Sequence, residues 1–277
     1  MHLTLSPVRK AAHARTASHP SPSTCQCRPA LVRLDGAVRE LRSWSSSAGG
    51  GGAVDAGPGL KLVEAVLAAL GEVLELPQAV AALRHGGACD GALDGFLVLA
   101  DAYGTFESAL LALGESVAGA RGGARRGDGA TVAASLRARR RTEKELCRLA
   151  GTMRRASRPA ADATGEGDGV GDAVAEAAAA TAAASEAIFL GCAAMSPGTS
   201  SMAKTAPPSS NKYWLSRLRV VPAAKKVSPE TCAATATAAA ALERLEECIG
   251  ELESESEKVF RRLLQTRVSL LNIHNPV

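Results

Sequence analysis

A chain of 277 residues has room for one large domain or two small ones. With only 3% aromatic residues and 27 glycines, it excludes a core of stacked rings and leaves one built from Leu, Val and Ala, side chains that helices tolerate best. A net charge of +4 with 22% charged residues excludes a globally polyanion-seeking chain, so partners have to be read from local clusters.

Residues 1–28 hold Ser, Pro and basic residues, with no acid before Asp35, and cannot bury enough apolar surface to order themselves. This composition predicts a disordered tail and also fits an organelle transit peptide, whereas MHLTLSPVRK lacks the apolar run of a secretory signal. Within the tail, Arg15, Ser18 and Pro20 frame the stretch RTASHP, which has the form of a phosphoserine site read by 14-3-3 proteins. Phosphate on Ser18 would give an arginine cluster a charge to grip.

Helical spacing then takes over. Leu31, Leu34, Val38 and Leu41 predict a short helix from near Arg28 to Trp44, followed by a Gly/Ser linker over 45–59. Residues 60–76 place Leu60, Val63, Leu67, Leu70 and Leu74 on one face, and Pro77 breaks the run. A longer helix is predicted over 90–120, with Leu93, Leu97, Phe106, Leu110, Leu113 and Val117 towards one side. Its Gly95, Gly104 and Gly114 either weaken it or let another helix approach closely.

A Gly/Arg-rich spacer is expected over 119–130, then a basic amphipathic helix over 131–157. Val132, Leu136, Leu146, Leu149 and Met153 mark its apolar side, while Arg137, Arg141, Lys144, Arg148 and Arg155 run down another. Residues 121–158 hold twelve Arg or Lys against Asp128, Glu143 and Glu145, a local net charge of +9. Such a face can stay solvated, pair within the chain, or meet an acidic protein or an anionic membrane surface. Nucleic acid is disfavoured, because the segment lacks aromatic residues on which bases would stack.

After a spacer at 158–169, residues 170–195 form an Ala-rich helix whose Glu176 and Glu186 favour a bundle position over a membrane span. An irregular basic linker over 196–229 contains one apolar knot at Tyr213, Trp214, Leu215 and Leu218. The last helix, 230–273, carries a stripe through Leu242, Leu245, Ile249, Leu252, Ser256, Val259, Leu263, Thr266, Leu270 and Ile273. Its first half reads as a narrow acidic seam that could face the basic helix through Glu247 and Glu251. Its second half reads as a broad face, with Phe260, Leu264, Val268 and Leu271 joining the stripe.

Seven scattered cysteines without paired spacing argue against a zinc site or a disulfide framework and for a reducing, intracellular compartment. No Gly-rich phosphate loop, nucleophile elbow or His-carboxylate pairing is present, so no catalytic residue, cofactor or small-molecule ligand is expected.

The segments HARTASHPSPS in the tail, LDGFLVLADAYGTFESAL at 93–110, LRARRRTEKELCRLAGTMRR at 136–155, NKYWLSRL at 211–218 and ESEKVFRRLLQTRVSLLNI at 255–273 together resemble the plant BYPASS-like family. The resemblance implies an all-helical plant protein with no catalytic motif to carry over. It also implies a setting in root and shoot development, in which production of a mobile small-molecule signal is limited. The combined expectation is all-α: an elongated bundle of about five helices over 29–277, with a disordered tail and flexible linkers. Protein partners are expected, 14-3-3 proteins among them through a phosphorylated tail. The compartment is expected to be the cytoplasm, with the chloroplast or a membrane periphery as alternatives.

Overall fold

The computed structural model describes residues 22–48, 55–85, 88–158, 169–195 and 229–275, and every element among them is an α-helix. In chain order these are α1 (Pro22–Ala48), α2 (Ala56–Leu74), α3 (Pro77–His85), α4 (Ala88–Arg126), α5 (Gly129–Ala156), α6 (Gly169–Ala194) and α7 (Pro229–His274). Seven helices among the described residues therefore replace the expected five or so. The tail motif at Arg15, Ser18 and Pro20 and the apolar knot at 213–218 lie outside the described residues.

Two differences from the sequence reading have local causes. Pro77 does end α2, but it also starts α3: a proline fits the first turn of a helix, where its missing N–H has no partner to lose. The two helices meet at 87°. Between α4 and α5 the expected spacer shrinks to a corner of two residues. Gly127 adopts φ +69°, its N–H donates to the Ala124 carbonyl at 3.2 Å, and the Asp128 N–H reaches the Gly123 carbonyl at 2.9 Å. This is the glycine-terminated helix end that only a residue free to enter the left-handed region makes cheaply.

Asp128 then caps α5 by accepting from the Ala130 and Thr131 N–H groups at 3.0 and 3.1 Å. The Thr131 hydroxyl, which also donates to this carboxylate, and then those backbone bonds lower its pKa. Two of the other glycines that suggested a spacer, Gly119 and Gly123, sit where α5 comes close. A Cβ on Gly123 would lie 3.0 Å from Val132. Gly127→Ala meets no neighbour within 4 Å, so its whole cost is backbone strain, about 1–2 kcal/mol. The thermal midpoint should fall accordingly.

The Ala-rich α6 lies at the centre. It packs on α1, α2, α4 and α5, and it buries Val174, Ala177, Ala180, Ala184, Ile188 and Phe189 on several sides rather than along one stripe. Small side chains let its neighbours approach. Gly95 of α4 faces Ala178, with 3.8 Å left for a Cβ. By length and composition α4 and α6 are each apolar enough to cross a membrane, yet about half of each apolar window (50% and 56%) is buried among the other helices.

The last helix, α7, packs on α4 and α2. The sequence stripe is its buried edge. Leu245, Ile249, Leu252, Val259, Leu263 and Leu270 are all at most 3% exposed, and the polar interruptions Ser256 and Thr266 are buried with them. Leu242, Leu245 and Ile249 form a separate small core with Leu113 and Val117 of α4, while Leu252, Val259, Leu263, Leu270 and Ile273 join the main one.

The broad second face is not observed, because a single groove between α4 and α2 receives one edge of α7. Leu264, Val268 and Leu271 stay 41%, 56% and 41% exposed. Nor does the acidic half face α5. Glu243 and Glu246 pair with Arg121 of α4 at 3.7 and 2.9 Å, and Glu247 and Glu251 are exposed with no ion pair among the described residues.

Candidate functional site

The basic helix α5 is held by an inner line of Val132, Leu146, Ala150 and Met153, all at most 5% exposed. Arg139 lies on that same line, seven residues from Val132 and from Leu146, and is itself 7% exposed. It is a buried cation with two acceptors: its Nε donates to Glu143 Oε1 at 2.9 Å, and its Nη2 donates to the Met195 carbonyl at the end of α6. The pairing matters because a buried guanidinium without partners would be strongly unfavourable. In sequence Arg139 looks like any other arginine of this basic helix; its heptad spacing with Val132 and Leu146 is the signal that sets it apart.

The cations near α5 therefore divide in two. Arg121, Arg139 and Arg154 have acidic partners and tie helices or turns together. Arg154 reaches Glu186 of α6 at 2.5 Å, which also raises its pKa. Arg137, Arg141, Lys144, Arg148 and Arg155 are all exposed, and none is in an ion pair among the described residues. Arg155 makes one hydrogen bond, to the Thr152 hydroxyl at 3.1 Å.

From Arg137 these five fall at helical offsets that keep them within one narrow stripe, about 27 Å long at 1.5 Å per residue. Arg140, also exposed, flanks it. Like charges at this spacing repel and weaken the helix they share, so an anionic surface laid along the stripe would relieve that repulsion. The stripe is well placed for such a partner, being anchored on one side by the buried line and at its start by the Gly127–Asp128 corner.

The remaining chemistry is subdued. Cys27, Cys89 and Cys192 are buried, Cys248 is half-buried and Cys147 is exposed. Burial pushes the Cys89, Cys192 and Cys248 thiols up, away from the reactive thiolate. Among the described residues no group of three or more His, Cys, Asp or Glu could hold a metal ion. His274 sits 3.3 Å from Asp90, linking the end of α7 to the start of α4.

Compared with known proteins, the chain matches the family profile described as Protein BPS1 over residues 59–273. No curated protein and no solved structure matches it.

Proposed function

Since the chain belongs to the BPS1 family, the BYPASS family, we propose that it is a non-enzymatic helical interaction protein in plant developmental regulation, acting in root and shoot development or stress signalling. The observation that supports this reading is the cationic stripe on α5: five exposed cations without acidic partners among the described residues, on a helix whose Arg139 and Arg154 are paired. An acidic protein surface is the partner that best complements it, since charge complementarity of this kind sets specificity and association rate. Phosphorylated Ser18 would supply a second, 14-3-3-type contact from the tail.

A peripheral membrane role is the second reading, favoured by the stripe lying along the outermost line of one helix, where it could meet a plane of anionic headgroups. Binding would then rest on charge alone, because the apolar side of α5 is buried.

The triple variant Arg141→Glu, Lys144→Glu, Arg148→Glu should keep the wild-type thermal midpoint, as these side chains are exposed and in no ion pair among the described residues. In affinity purification from plant tissue it should recover its partners at about a tenth of the wild-type level or less. Recovery of the same proteins in the same amounts would rule the stripe out. Flotation of wild type, but not of the variant, with phosphatidylserine vesicles would favour the membrane reading.

A further inference from the structure

The tail stretch RTASHP, at residues 15–20, has a counterpart at the end of the basic helix. The frame Arg-any-Ala-Ser-any-Pro occurs twice in the chain, and its second copy is RRASRP at 154–159, where α5 stops. Arg154 stands three residues before Ser157, as Arg15 does before Ser18, and Pro159 follows two residues later, as Pro20 does.

Ser157 closes α5. Its N–H donates to the Met153 carbonyl at 2.9 Å, and its partly exposed hydroxyl donates to the Arg154 carbonyl at 3.1 Å. Two arginines placed two and three residues ahead of a hydroxyl are also a charge pattern by which a protein kinase selects its substrate. Arg-Arg-any-Ser/Thr recurs once more, from Arg139 to Thr142, but there the structure discriminates. Thr142 is 5% exposed in the middle of α5, with its hydroxyl on the Ala138 carbonyl at 3.4 Å. Reaching it would mean unpacking the helix, whereas a helix end opens at little cost.

We propose that Ser157 is a phosphorylation site, and that the phosphorylated end of α5 docks in the arginine-lined groove of a 14-3-3 protein. The inference rests on the reading of the chain as an interaction protein and carries it from the tail to the helical bundle. In the modification the Ser157 hydroxyl oxygen bonds to the γ-phosphorus of ATP, the bond to the ADP oxygen breaks, and the hydroxyl proton passes to the kinase's aspartate.

The phosphate changes the helix end in two ways. The esterified oxygen can no longer donate to the Arg154 carbonyl, and about two negative charges arrive at the negative pole of α5, where they disfavour the helix. The phosphate also offers Arg154 an anion three residues away, in competition with Glu186 of α6 at 2.5 Å. Both effects loosen the last turn, which has to leave the helix before a partner's arginine cluster can close on the phosphate.

The full chain, made in bacteria and treated with ATP and the catalytic subunit of the cyclic-AMP-dependent kinase as an arginine-directed probe, should carry phosphate on Ser157 and none on Thr142 by mass spectrometry. Treated Ser18→Ala should then bind a purified 14-3-3 protein about tenfold or more tighter than the untreated chain in calorimetry. The Ser18→Ala, Ser157→Ala double variant should show no such gain, with circular dichroism confirming that both variants fold. A Ser157 left unmodified, a modified Ser157 that gives no gain, or a gain that survives in the double variant overturns the proposal. Failure of the stripe is read separately, because the triple variant at Arg141, Lys144 and Arg148 keeps Arg154 and Arg155; failure of the tail contact is read in Ser157→Ala, which keeps Ser18.

Discussion

Leu263→Asp should abolish the cooperative thermal transition and most of the helical circular dichroism. Leu263 is fully buried in the main core, on the edge of α7 that fits between α4 and α2. Truncating a buried leucine alone costs about 2–5 kcal/mol. Burying a carboxylate with no partner adds several more, against a total stability of about 5–15 kcal/mol for a domain. The neighbouring Leu264→Asp is the control, because that side chain is 41% exposed and should lose roughly 1 kcal/mol or less. A Leu263→Asp protein with wild-type helicity and midpoint would mean that α7 does not anchor the bundle.

Phe189→Ala should lower stability by about 3–5 kcal/mol, read from denaturant midpoints at an unchanged slope. Phe189 of α6 is fully buried, with its ring centroid 4.5 Å from Phe106 and 5.6 Å from Tyr103 of α4. Three of the six Phe and Tyr residues, Tyr103, Phe106 and Phe189, therefore meet where α4 crosses α6. Alanine would leave a void that the helices cannot close, because Tyr103 is also held by a 3.1 Å hydrogen bond to Ser185, whose hydroxyl lies 2.7 Å from the Thr181 carbonyl. A loss under about 1.5 kcal/mol would show that this crossing can repack and is not what fixes α6 at the centre.

Much of this architecture was legible in the sequence because helical periodicity reports burial directly. The ten stripe positions from Leu242 to Ile273 are all buried, including the serine and threonine that looked like interruptions. What periodicity does not report is which neighbour a face meets. Leu264, Val268 and Leu271 resemble core leucines in sequence, and only the width of the groove between α4 and α2 leaves them outside. The acids of α7 likewise looked suited to the basic helix, yet Glu243 and Glu246 pair with Arg121 of α4, because contact follows the packing order of helices rather than the largest charge excess. Glycine was the other source of error. Gly119 and Gly123 read as a spacer, but they mark where α5 comes too close for a side chain on α4, and Gly127 alone makes the turn. The candidate stripe on α5 was visible as charge, whereas its lack of partners could be learned only from the structure.

The two-residue corner at Gly127 and Asp128 also acts as an angular index. Each residue of an α-helix advances about 100° around its axis, so the number of residues in the corner sets the direction in which every side chain of α5 points. A single residue added there would swing Arg137, Arg141, Lys144, Arg148 and Arg155 by that angle and bring the Val132–Met153 line round towards water. The orientation of the charged face is thus counted out by the chain itself, about two and a half turns before the first of those cations.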